Sequence, residues 1–167
     1  MKKEKKLKKR KSSNTEENSP SHNHLHANVH TLLLASLANL RTNFSARTLL
    51  TKCINNLHNQ SLNPSKTLTL INNNLFLSLI PPLLRTTKSI PPIAERTAEI
   101  IGAISLQSFE CNEKIASDNE ILKALLDALV SSNKKVSMAA CNAVLDLSTT
   151  SLAREKLCDI NAVMKLM

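Results

Sequence analysis

Apolar residues recur at helical spacing along nearly the whole chain after its first two dozen residues. Leu33, Leu37 and Leu40 share one face, and Leu49, Leu50, Ile54 and Leu57 repeat the pattern. Asn63-Pro64 marks a break, because a residue before proline is pushed out of the helical region. Leu75, Phe76, Leu79, Ile80 and Leu83 form the next stripe, which Pro81-Pro82 is expected to kink or end. Pro91-Pro92 opens the following helix, where a missing N–H costs nothing. Ile121, Leu122, Leu125, Leu126, Leu129 and Val130 make a broad stripe, with Ser117 and Glu120 at capping-box spacing ahead of it. Lys123 and Asp127 stand four apart on its exposed side. The last clear stripe, Val136, Ala140, Ala143, Val144 and Leu147, is narrow and built of small residues, so that helix can approach a neighbour closely.

The stripes repeat. Residues 113–123 match residues 155–165 at an offset of 42, with Glu113, Lys114, Asn119 and Lys123 identical to Glu155, Lys156, Asn161 and Lys165. Ile93, Thr97, Ile100, Ile101 and Ile104 match Val136, Ala140, Ala143, Val144 and Leu147 at an offset of 43. A partial third copy relates Asn73–Ile80 to Asn119–Leu126 at an offset of 46. A period near 42 in a helical chain is that of a solenoid, in which each unit buries its apolar face only by stacking on the next.

Composition narrows the choices. The chain has 167 residues, one glycine (Gly102), no Trp, no Tyr and three Phe. Phosphate-cradling loops need several glycines, and hairpins need residues at positive φ, so P-loops, dinucleotide fingerprints and β-sandwiches are excluded. Base-stacking platforms lack their rings. Cys53, Cys111, Cys141 and Cys158 form no C-x-x-C pair and read as reduced, mostly buried core residues of an intracellular protein. No window reaches the length of a membrane span, and no secretory signal follows the basic start, so no membrane partner is expected.

The charge is segregated. Residues 1–11 carry a net +7 through Lys2, Lys3, Lys5, Lys6, Lys8, Lys9, Arg10 and Lys11. Such a run stays unfolded and suits a nuclear-import signal or a nonspecific polyanion contact, so import machinery or nucleic acid are its candidate partners. No acidic residue occurs between Glu17 and Glu95, whereas residues 95–167 carry a net −2. Residues 1–24 read as a disordered tail. His22, His24, His26 and His30 offer at most a weak metal site without second-shell carboxylates, so no metal or other cofactor is expected.

The residues resemble the armadillo family, and most of all plant armadillo proteins related to the U-box ubiquitin-ligase group. The likeness rests on Ala140-x-x-Ala143-Val144-x-x-Leu147, which matches the core of that family's long third helix, and on the helices around it. Asn112–Ser117 resembles a first helix, Asn119–Val130 a second and Lys134–Thr149 a third. Pro92–Gln107 resembles the preceding third helix, and Leu152–Cys158 a further first helix. Ser36–Leu40 resembles part of an earlier third helix, which leaves 41–72 as an irregular or insertion-bearing unit. The resemblance implies an all-α, right-handed solenoid of armadillo-like repeats over 73–167, degenerate repeats over 25–72 and the basic tail over 1–24.

It further implies a non-enzymatic scaffold, in the nucleus or cytoplasm, that binds an extended peptide or helical domain along a concave face. Glu99, Ala103, Asn142 and Asp146 fall on that face. Import adaptors of the family place Trp and Asn at those positions, so binding of import signals is not expected. An accessory role in a ubiquitin-ligase pathway is the alternative. The last repeat stops within its second helix, which points to a longer parent chain or to a partner that covers Val163, Met164, Leu166 and Met167. Among catalytic arrangements, Cys53 and His58 stand five apart on different helical faces, and Glu95 and Glu99 read as a solvated helix face.

Overall fold

A computed structural model describes residues 44–160. The basic run, the histidine group, the segment Leu25–Leu40 and the residues after Ile160 lie outside the described residues. Within them the chain is all-helical, in the order α1 (Phe44–Ser61), α2 (Pro64–Ile71), α3 (Asn74–Leu84) with a 3-10 turn over Arg85–Thr87, α4 (Pro91–Gln107), α5 (Phe109–Ala116), α6 (Asn119–Leu129), α7 (Lys134–Leu147) and α8 (Ser151–Asp159).

Short polar residues at the breaks explain the boundaries. Asn63, Asn73, Ser108, Asp118, Asn133 and Thr150 precede α2, α3, α5, α6, α7 and α8, and each accepts a hydrogen bond from a free backbone N–H of the first turn. α4 has no side-chain cap and begins instead on Pro91-Pro92, which have no N–H to satisfy.

Two local expectations are corrected. Ser117 does not cap α6: it ends α5, donating its hydroxyl to the Glu113 carbonyl, and Asp118 accepts from the N–H groups of Glu120 and Ile121. Asp118→Ala should therefore cost about 1 kcal/mol and Ser117→Ala little, a contrast that paired urea melts would measure. Equal losses would return the cap to Ser117. Pro81-Pro82 do not end α3 either, which runs on to Leu84. Each proline costs a helix about 3 kcal/mol. Leu79, Ile80, Leu83 and Leu84 are almost wholly buried on this helix, at about 1.5–3 kcal/mol each, which is enough to outweigh the prolines.

Packing follows a rule of three. α4 lies on α1 and on α7, α5 lies on α2 and on α8, and α6 lies on α3. The described part of the stretch 41–72 consists of α1 and α2. α1 occupies the place before α4 that α4 occupies before α7, and α2 stands to α5 as α5 stands to α8. One continuous core runs from Leu50 and Ile54 through Ile80, Leu84, Ile93 and Ile101 to Leu122, Ala140, Leu147 and Leu157.

Leu33, Leu37 and Leu40 lie outside the described residues; among those described, the expected stripes are buried with three exceptions, Leu49, Leu75 and Val130, the last 63% exposed at the end of α6. Of the cysteines only Cys111 is fully buried; Cys53 and Cys141 are half-buried, and Cys158 is exposed because it falls on the outer side of α8. Among the described residues no single helix is long and apolar enough to cross a membrane, and α2 with α3 reaches that length only across an 88° bend.

The tightest helix pair is α4 with α7. Gly102 makes it possible: a Cβ there would stand 3.5 Å from the Ala143 Cα and 2.6 Å from the Asp146 carboxylate. The α7 face that meets it consists of alanines, with Ala139, Ala140 and Ala143 buried.

Candidate functional site

The close approach of α4 and α7 leaves a groove of about 520 Å³ along the outside of their contact. α4 contributes Glu95, Ala98, Glu99, Gly102, Ala103 and Leu106. α7 contributes Lys135, Met138, Ala139, Asn142, Ala143 and Asp146, and the C-terminal end of α1 adds His58 and Leu62. Small residues make the floor, so the depth of the groove follows from the same alanines and glycine that let the helices touch. The structure brings Glu99, Ala103, Asn142 and Asp146 together in this one groove.

Its polar groups fall into two sets. Glu99 is engaged: its carboxylate pairs with Arg96 at 2.5 Å and lies 3.8 Å from His58 Nε2. Glu95, Lys135, Asn142 and Asp146 make no side-chain hydrogen bond or ion pair among the described residues. Burial pushes the Asp146 carboxyl above the ordinary aspartate value. Its backbone carbonyl is held firmly, accepting from Asn112 Nδ2 at 3.3 Å and from the Thr149 hydroxyl at 2.9 Å.

His58 is held below the ordinary imidazole value, first by burial and then by the Arg96 guanidinium, with Glu99 opposing. The unfolded chain therefore takes up this proton more readily than the folded one. The stability that rests on the neutral ring is complete above about pH 6.5 and is lost as pH falls through the lowered value. Thermal melts between pH 7.5 and 5 should show His58→Gln losing less stability than the parent chain. Parallel slopes would mean that His58 does not titrate between the two states.

Cys53 packs against the core, and burial pushes its thiol up, the reverse of what a nucleophile needs. His58 lines the groove, which Cys53 does not. Among the described residues no three His, Cys, Asp or Glu side chains gather where a metal ion would sit. What the groove offers is convergent polar groups without partners, over an apolar floor.

Sequence reasoning had not placed His58, Leu62, Gly102 or Met138 in the groove. The caps carried the signal for His58. Asn63 and Ser108 start equivalent helices 45 residues apart, and that shift carries His58 onto Ala103, one of the groove positions. The chain matches no family model, no curated protein and no solved structure.

Proposed function

We propose that this protein is a non-enzymatic interaction scaffold, an armadillo-like solenoid that binds a segment of a partner protein in the groove between α4 and α7. The observation that carries the reading is the set of four polar side chains, Glu95, Lys135, Asn142 and Asp146, left without partners in one groove. Glu95 and Asp146 are half-buried and Lys135 and Asn142 exposed, so all four can exchange water for the polar groups of a bound segment. The rule-of-three packing supports the solenoid, since it repeats a three-helix unit at the period found in the sequence.

The test is a photo-crosslinker at Asn142, used in cells with and without Ala103→Trp, which fills the groove. Partner adducts are expected to fall at least tenfold in the filled variant. Adducts that persist unchanged would overturn the groove as the binding site. Circular dichroism confirms that the tryptophan variant is folded.

The basic run from Lys2 to Lys11 supports a second, separate reading as a nuclear-import signal, because it places a net +7 in eleven residues. Deleting residues 1–11 should shift a fluorescent fusion out of the nucleus. An unchanged distribution would leave the run without that role.

A further inference from the structure

We propose that copies of this chain associate head to tail, with α1 of one copy lying on α7 of another as α7 lies on α4 within the chain, so that Cys53 of the first comes beside Cys141 of the second. The inference goes beyond the groove reading and concerns the two ends of the helix stack.

The first observation is the face that α7 leaves open. The 43-residue repeat carries Ala94, Ala98, Gly102 and Ser105 of α4 onto Ser137, Cys141, Leu145 and Ser148 of α7. On α4 all four are buried, and Gly102 meets α7 directly. On α7 Ser137, Cys141 and Ser148 are half-buried and Leu145 is 64% exposed. α7 thus repeats the face with which α4 receives a neighbour, and among the described residues that face stays open.

The second observation is the rear of α1. His58 comes within 3.8 Å of Glu99 and so marks the side of α1 that meets α4. Cys53 stands five residues before it, about 140° round the helix, and Leu49 lies one turn before Cys53 on the same side. Leu49 is exposed and Cys53 half-buried, so this side is open too.

The third observation sets the register. α4 and α7 run parallel, because Asn112 reaches carbonyls near the ends of both, Ser105 at 3.5 Å and Leu147 at 3.1 Å. Gly102 meets Ala143, so one turn earlier Ala98 meets Ala139. Cys141 is the counterpart of Ala98. The buried stripe Leu50, Ile54, Leu57 and Ser61 of α1 has the same spacing as Val136, Ala140, Ala143 and Leu147 of α7. Cys53 directly precedes the second member of its stripe, as Ala139 does in α7. Stacking α1 on α7 in the register of α7 on α4 therefore sets Cys53 against Cys141.

Charge selects the order. Residues 44–94 carry Arg47, Lys52, Lys66, Arg85 and Lys88 and no acidic residue, whereas residues 119–160 hold five basic and five acidic residues. Two α1 ends would repel, and an α1 end meets an α7 end without that cost. The two faces differ, so each copy keeps one open end and association continues past the dimer. A contact of two helix faces is small and sets in at about 100 µM.

The experiment treats the nuclease-treated full chain, carrying Cys158→Ser to remove an exposed thiol, with bismaleimidoethane at about 300 µM and at about 3 µM protein. The concentrated sample is expected to give a ladder of dimers, trimers and longer species, and the dilute sample none. Adding Cys53→Ser or Cys141→Ser should each abolish the ladder. An equimolar mixture of those two variants should give a dimer and nothing larger. Leu145→Glu, on an exposed side chain, should lower the crosslinked fraction at least tenfold with an unchanged circular-dichroism spectrum.

A crosslinked dimer from Cys53→Ser alone means that α7 pairs with itself, which overturns the head-to-tail order. A ladder seen only before nuclease treatment assigns the association to nucleic acid on the basic run and overturns the proposal. A parent chain that neither crosslinks nor sediments above the monomer at the higher concentration overturns it as well. If Leu49→Glu then lowers the melting temperature of that monomer, the chain's own residues before Phe44 are what cover α1.

Discussion

Asn112→Ala is expected to lower stability by about 3 kcal/mol, a loss far beyond that of a surface substitution. Asn112 is 1% exposed in the first turn of α5. Its Nδ2 group donates toward the Leu147 carbonyl at 3.1 Å, the Thr149 hydroxyl at 3.2 Å, the Asp146 carbonyl at 3.3 Å and the Ser105 carbonyl at 3.5 Å. Two hydrogens serve those four acceptors, so they amount to two full bonds. Its Oδ1 accepts from the Thr150 hydroxyl at 2.8 Å. The carbonyls at the end of α7 lack an ordinary helical partner, and this amide adds its donors to those of Thr149 and Thr150.

Truncation removes the two donated bonds and the one accepted from Thr150, at about 1 kcal/mol each, while the Asp146 carbonyl keeps the Thr149 hydroxyl and the Leu147 carbonyl keeps the Thr150 N–H. Urea titration reads the loss, and a cycle with Thr150→Val should return a coupling of about 1 kcal/mol. A loss below 1 kcal/mol would show that the amide is not the clamp described. Because the clamped segment includes Asp146, the same variant links α5 to the groove.

Ile101→Ala is expected to cost about 2–5 kcal/mol, since it removes a fully buried branched side chain and leaves a cavity. Its place gives the loss a second signature. α4 is the helix on which both α1 and α7 lie, so it joins the two ends of the stack. Weakening the helix that both neighbours share loosens their contact with each other. Melts followed at 222 nm should shift down by 10 °C or so and broaden. Leu145→Ala, on a side chain 64% exposed on α7, is the control and should change stability by less than about 0.5 kcal/mol. Equal losses from the two would contradict the packing of α4.

Much of the local structure was legible in the chain. Proline at a helix start read correctly at Pro91, because the ring fixes φ and lacks only an N–H that a first turn does not use. The alanine stripe of α7 read correctly as a close-contact face, because a fixed helical period turns spacing into direction. Ser117 misled because two candidate caps stand side by side, and only the end of α5 decides between them. Pro81-Pro82 misled because a local rule ignores the burial of Leu83 and Leu84 beyond them.

The groove divides in the same way. Glu99, Ala103, Asn142 and Asp146 were set on one face by the armadillo resemblance, and all four line the one groove. Which of them keeps a partner was not set that way. By itself the sequence determined an all-helical chain, the places of most of its breaks and a repeat near 42 residues, because these depend on backbone chemistry acting over a few residues. Only the tertiary structure decided that Glu99 is paired and Asp146 is not, that His58 enters from α1, and that the one glycine serves contact rather than a turn. Those outcomes depend on distances between side chains some forty residues apart, which packing sets and local periodicity does not encode.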